Sequence, residues 1–179
     1  MKKEFMMVMV KMVVMSVIAA VILGGLYTPT QAQLKIYQEE QRQLALVDVL
    51  PAADHFEAIK SKSGEETLYY QAFDASNNLV GYCFFHDQSG SQGTITLAGG
   101  VDTEYTVTGV KIMTHAETPG LGAKITESFF TDQFKGVAVS DLMLSKNGGA
   151  IDAITGASVS SQAVIDGIHV MIGEIKANK

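Results

Sequence analysis

Near the C-terminus, the run Asp152-Ala153-Ile154-Thr155-Gly156-Ala157-Ser158-Val159-Ser160-Ser161 gathers four hydroxyls, from Thr155, Ser158, Ser160 and Ser161, around a Gly-Ala pair. Beyond it, Val164, Ile168, Met171 and Ile175 recur at i, i+4, i+7 and i+11, the spacing of a helix with one apolar face. Ser158 then stands in position to cap the N-terminus of that helix. The first amides of a helix lack intrahelical acceptors and carry the positive end of its dipole, so they favour a phosphate. Gly156 and Ala157 would let such a ligand approach the backbone. Spacing alone leaves two readings open, a plain helix cap and an anion site.

A second segment with chemical character is Thr114-His115-Ala116-Glu117-Thr118-Pro119-Gly120-Leu121-Gly122. Pro-Gly supplies a tight turn, and Gly122 admits the chain to the following element without a side chain in the way. Glu117 has the chemistry of a general base, but a carboxylate hydrogen-bonded within its own loop is the preferred reading. His55, His86, His115 and His169 show no close metal-ligand spacing and are read as structural or exposed, so no metal site is expected. No nucleophile elbow, phosphate-binding P-loop or dinucleotide fingerprint is present.

Charge narrows the partners. Of 13 basic residues, Lys2, Lys3 and Lys11 lie in the first 27 positions, where Glu4 is the only acidic residue of 19; the remainder is net −8. An acidic domain without a basic cluster is a poor candidate for nucleic acid. Cys83 is the single cysteine, which excludes an intrachain disulfide, and its apolar surroundings in Val80-Gly81-Tyr82-Cys83-Phe84-Phe85 suit a small buried side chain.

Several elements must position these segments. Residues 5–27 are apolar apart from Lys11, Ser16 and Gly24-Gly25, long enough for a membrane-spanning helix. Its lysines load the N-terminal flank, which puts the N-terminus in the cytoplasm and the domain on the outer face of the cell membrane. Thr30-Gln31-Ala32 weakly resembles a cleavage site, so a signal peptide is the competing reading. Residues 33–50 suit a helix and 60–64 a loop. Strands are expected at 67–74 and 79–86, joined as a hairpin through Ala75-Ser76-Asn77-Asn78, and again at 94–97 and 105–114. A helix over 123–134 closing at Gly136, a strand around 137–144 and a short strand near 150–154 complete the expectation. No repeat is visible.

Asp152-x-x-Thr155-Gly156-Ala157-Ser158 resembles the flavinylation motif of the FMN-binding domain family, found in the G subunit of Rnf electron-transport complexes and the C subunit of sodium-pumping NADH:quinone reductases. Glu117-Thr118-Pro119-Gly120-Leu121-Gly122 resembles that family's second signature, a loop against the flavin. With the N-terminal anchor and Leu50-Pro51-Ala52, the match covers essentially the whole chain. The resemblance implies an α+β architecture: one transmembrane helix, then a compact domain with a mainly antiparallel sheet flanked by helices. The corresponding domains are 1–27, cytoplasmic N-terminus and membrane helix; 28–65, linker and helical lead-in; and 66–179, the FMN-binding domain.

The resemblance further implies FMN joined through its phosphate to Ser158, with Glu117, Thr118, Gly120, Leu121, Gly122, Thr155, Gly156 and Ala157 around it. The family generally has threonine where this chain has Ser158; serine offers the same oxygen nucleophile without the methyl. A flavin transferase using FAD as donor would install the group. By the same resemblance the chain is one electron carrier, not catalytic alone, among the membrane, iron–sulfur and flavin subunits of a translocase that couples ferredoxin and NAD to sodium or proton transport. Length favours the Rnf G type. An Nqr-type or extracellular electron-transfer chain, and a non-redox assembly domain, stand as alternatives.

Overall fold

The computed structural model describes residues 2–61 and 67–178. Part of the loop expected at 60–64 lies outside them. By its internal contacts the chain forms two compact units, Met1–Gln43 and Leu44–Lys179. Helix α1 (Lys2–Val49) is continuous through Gly24-Gly25 of the membrane stretch and through Pro29, within the 28–65 lead-in. Within the first unit, Lys3–Gly25 is long and apolar enough to cross a membrane. Ser16 donates its hydroxyl to the Met12 carbonyl at 3.0 Å, which satisfies a polar group inside the apolar stretch.

The second unit is built on five antiparallel strands in sequential order: β1 (His55–Lys60), β2 (Thr67–Phe73), β3 (Leu79–Ser89), β4 (Thr94–Asp102) and β5 (Val107–His115). The expected α+β class, the hairpin at Asn77 and the mainly antiparallel sheet are all present. Strand β1 was missed, because Pro51 and the polar Asp54-His55 masked a short segment whose partner, β2, lies beyond the intervening loop. His55 stacks on Phe73 across that pair, with ring centroids 5.3 Å apart.

Strand alternation divides the interior into two cores on opposite faces of the sheet. Tyr82, Phe84 and Leu97 join the larger one with helix α3 (Ser158–Ala177), whose expected apolar residues Val164, Ile168, Met171 and Ile175 are all buried there. Cys83 and Ala98 face the other way, onto Ala45, Leu46, Val49 and Leu50 at the end of α1. Burial pushes the Cys83 thiol up to about 12, so it stays protonated and inert, as its apolar surroundings suggested.

Three expected elements differ. Residues 123–134 form a 3-10 turn (Gly122–Thr126), the single-turn helix α2 (Ser128–Thr131) and a second 3-10 turn (Asp132–Phe134), not one helix. Ile125, Phe130 and Phe134 are buried, whereas Phe129 is 54% exposed. Residues 137–144 make no strand but the isolated bridges Thr106–Ala138 and Leu144–Ile151 and a 3-10 turn (Val139–Asp141). The strand expected near 150–154 reduces to a parallel bridge between Leu144 and Ile151. Their apolar residues fill the core beneath α3, but no neighbouring strand continues a ladder. Gly136 does adopt the left-handed φ of +75° expected of a chain reversal.

The end of α1 sits directly on β4 and β5. Thr108 donates its hydroxyl to the Val49 carbonyl at 2.6 Å, satisfying a helix-terminal acceptor. Gly100 and Gly109 make this approach possible: a Cβ would lie 2.5 Å from the Val49 carbonyl oxygen at Gly100 and 2.9 Å from the Val49 Cα at Gly109. Gly109→Val should therefore force α1 off the sheet and lower the stability of the domain by about 1–3 kcal/mol, the usual cost of overpacking. Urea denaturation monitored by circular dichroism checks this.

Candidate functional site: a cleft at the start of α3

The hydroxyl-rich segment turns before it becomes helical. Ala157 N–H donates to the Ile154 carbonyl at 2.9 Å, closing a turn in which Gly156 takes a φ of +81°. Only glycine adopts that conformation without strain. The residue preceding α3 is thus Ala157, and Ser158 is the first helical residue rather than its cap. The expectation that Ser158 caps the helix fails because Ser158 is already helical and no side-chain hydrogen bond caps the start of α3; Ser161 instead braces the turn before it. Its Oγ accepts the Ile154 N–H at 3.0 Å and donates to the Ala157 carbonyl at 3.0 Å.

This start of α3 forms one wall of an open cleft of about 290 Å³. Gly156, Ala157 and Ser158 line it together with Glu117, Thr118, Leu121 and Gly122, so the two chemical segments of the sequence meet. Gly120 and Thr155, singled out with them, are exposed but do not line it. Ser91, Val159 and Ser160 do, and sequence reasoning passed over them as site residues. A signal for Ser91 was available in Ser89-Gly90-Ser91-Gln92-Gly93, which has the composition of a hairpin turn and connects β3 to β4.

The hydroxyls of the segment are not equivalent. Ser160 and Ser161 are buried, 1% and 0% exposed, and engaged by neighbours. Ser158 is exposed on the cleft, and among the described residues its hydroxyl has no protein partner. Asp152, at the head of the motif, is exposed; its N–H donates to Gln133 Oε1 at 2.7 Å, which ties the motif to the turns after β5.

Glu117 is the polar centre of the cleft. It is 5% exposed. Its Oε1 accepts the N–H groups of Ser91 at 2.8 Å and Gln92 at 3.1 Å, and its Oε2 accepts the Ser160 hydroxyl at 2.6 Å. Burial alone would raise its carboxyl, but the Ser160 hydroxyl, the two amides and the nearby His115 outweigh burial and hold it below the usual carboxylate range. Glu117 is the hydrogen-bonded carboxylate preferred over a general base, but its partners lie outside its own loop, in two other segments that only the folded sheet and helix bring near. The four histidines all have neighbours of a structural kind. His115 accepts the Glu117 N–H, His169 bonds the Leu142 carbonyl, His86 meets Gln88 and His55 stacks on Phe73.

The cleft is thus framed by Gly122 and Gly156, set at the start of α3 and floored by a hydrogen-bonded carboxylate. Comparison with known proteins specifies it. The model of the FMN-binding domain family matches residues 90–173, which include every residue lining the cleft. The G subunit of the ion-translocating oxidoreductase complex of Methanosarcina acetivorans is 45% identical over 183 residues, covering 99% of this chain and 97% of that protein. The G subunit of the Na(+)-translocating ferredoxin:NAD(+) oxidoreductase complex of Acetobacterium woodii is 29% identical, covering 89% and 86%. Among solved structures, NqrC of Shewanella oneidensis matches with a TM-score of 0.49 at 21% identity, covering 72% of this chain and 73% of that one. The chain belongs to the family of G subunits of Rnf-type ion-translocating oxidoreductase complexes, which carry an FMN-binding domain.

The Glu117 interactions set a pH dependence. A carboxyl whose native pKa is depressed contributes stability that is present above its unfolded value, about 4.3, and is lost as pH falls through the native value. Glu117→Gln should be less stable than the parent by about 1–3 kcal/mol near neutral pH. The gap should narrow as pH falls below about 4. Urea melts of both proteins across that window provide the measurement.

Proposed function

We propose that the chain is a membrane-anchored electron carrier whose FMN is esterified through its phosphate to Ser158. The observation that carries this reading is selective exposure: of the motif's hydroxyls, Ser158 alone is both open to solvent and on the cleft. Thr155 is exposed outside the cleft, and Ser160 and Ser161 are engaged in holding the turn.

The residues present suit the group. The opening amides of α3 would face the phosphate, and Gly156 keeps side-chain bulk away from it, since even a Cβ there would stand 3.2 Å from Leu121 Cδ2. Among the described residues, no lysine or arginine lines the cleft. A free phosphate monoester with two charges would be poorly served by that lining, whereas an ester to Ser158 carries one charge and needs no cation. Leu121 and Val159, 46% and 62% exposed on the cleft, offer apolar surface to a flat ring system. Thr118, Gly120 and Gly122 would shape the loop beside it, with Thr155 and Ala157 flanking the attachment point. When bound, FMN supplies one- and two-electron transfer, and the protein supplies tether, orientation and local electrostatics.

The apolar stretch Lys3–Gly25 anchors the domain in this reading, with Lys2, Lys3 and Lys11 holding the N-terminus in the cytoplasm and the domain outside. There a tether keeps the cofactor at high effective concentration whatever the level of free flavin. Residues 1–27 then serve as cytoplasmic end and membrane helix, 28–65 as lead-in and 66–179 as the flavin domain. Partners are the membrane, iron–sulfur and flavin subunits of an Rnf-type complex, which passes electrons between ferredoxin and NAD and moves sodium or protons. A flavin transferase matures the chain.

Ser158→Ala, expressed with the transferase, should fold normally yet run as a non-fluorescent band on a denaturing gel. Its intact mass should lack the FMN increment that the parent shows. An unshifted parent mass, or a shifted Ser158→Ala mass, would overturn the assignment.

A further inference from the structure

Three segments distant in the chain converge on one carboxylate: the β3–β4 turn through the amides of Ser91 and Gln92, the Glu117 loop itself, and the first turn of α3 through Ser160. From this convergence we infer that Glu117 and Ser160 form a positioning clamp that aims the Ser158 hydroxyl for flavin transfer. The inference rests on the proposed ester at Ser158 and assigns the residues that make that hydroxyl competent.

Glu117 is not placed to act as the base. Each of its oxygens is occupied, Oε1 by two amides and Oε2 by the Ser160 hydroxyl, and the hydrogen bonds that hold it ionised also weaken it as a proton acceptor. Transfer forms a bond between Ser158 Oγ and the phosphorus of the FMN half of FAD as the pyrophosphate bond breaks. AMP leaves, and the serine proton must pass to the transferase or to water. What this chain contributes is the direction of the oxygen. Ser160 lies two residues beyond Ser158 in the same helical turn, so fixing Ser160 on Glu117 fixes the rotation of that turn. Ser161, held between Ile154 and Ala157, fixes its height.

The glycines around the carboxylate fit a clamp rather than a ligand contact. A Cβ on Gly122 would lie 2.7 Å from Glu117 Oε2 and 3.0 Å from Ser160 Oγ, and one on Gly90 would overlap Oε1. Both positions exclude any side chain that would displace the carboxylate. Both oxygens of Glu117 are engaged by the protein, Oε1 by two amides and Oε2 by the Ser160 hydroxyl, as a positioning role requires.

The test uses the full-length chain in detergent, with purified flavin transferase and FAD, and follows intact mass with time. Glu117→Ala, Ser160→Ala and Gly122→Ala are compared with the parent after circular dichroism melts establish the folded fraction of each. Gly122→Ala leaves the carboxylate in the chain and only shifts it; Ser160→Ala removes a single hydroxyl. The clamp requires all three to lower kcat for transfer at least tenfold per folded molecule while KM for the chain changes less than threefold. Glu117→Gln, which retains the shape and two acceptor contacts, should recover part of what Glu117→Ala loses. Parental kcat in the folded Ser160→Ala and Gly122→Ala proteins, or a loss confined to KM, would refute the clamp while leaving the ester at Ser158 intact. A parent chain that gains no FMN would instead remove the ester, and the clamp with it.

Discussion

A carboxylate almost withdrawn from water persists as an anion only where donors replace its hydration, and Glu117 has three of them, none from its own loop. The chain is thereby committed to bringing the β3–β4 turn and the head of α3 to the same point. That point is the floor of the cleft. The sheet order delivers the first partner, because β4 lies between β3 and β5 and places the turn before it beside the loop after β5. The second partner depends on α3 lying close to the sheet, where Gly167 admits the Leu97 side chain.

The sheet works on both faces. One carries α3 and the short turns between β5 and the motif; the other receives the last residues of α1. Carbonyl and side-chain contacts join this helix end to β4 and β5, through Gly100, Gly109, Thr108 and the ion pair of Asp48 with Lys111 at 2.6 Å. The ion pair is solvent-exposed and adds little; the close backbone approach and the buried apolar residues hold the contact. The end of α1 is therefore an integral layer of the folded domain rather than a flexible lead to it.

Few charged groups shape the electrostatics of the cleft. Among the described residues, its lining has a single carboxylate, engaged by hydrogen bonds, and no cation, so a favourable field for an anion comes from the start of α3. The chain beyond the apolar stretch is acidic, which sets it apart from proteins that gather phosphates by long-range attraction.

What the sequence determined by itself was local or compositional. The apolar stretch 5–27, the face of α3 marked by Val164, Ile168, Met171 and Ile175, and the hairpin at Asn77 each follow from a pattern within a few turns of chain. Resemblance supplied the family and pointed to Ser158 and the Glu117 loop. Tertiary structure alone decided the rest. Helical spacing of Ile125, Phe129, Phe130 and Phe134 did not reveal that two 3-10 turns flank a single α-turn, nor that Phe129 faces outward. The apolar runs at 137–144 and 150–154 could not become strands without a neighbour to complete a ladder. Ser91, Gln92 and Ser160 entered the site through hydrogen bonds to a residue 25 to 43 positions away. Periodicity records which side of an element is apolar; it carries no information about which distant donor will meet a buried charge, because that depends on how the finished sheet and helix lie against each other.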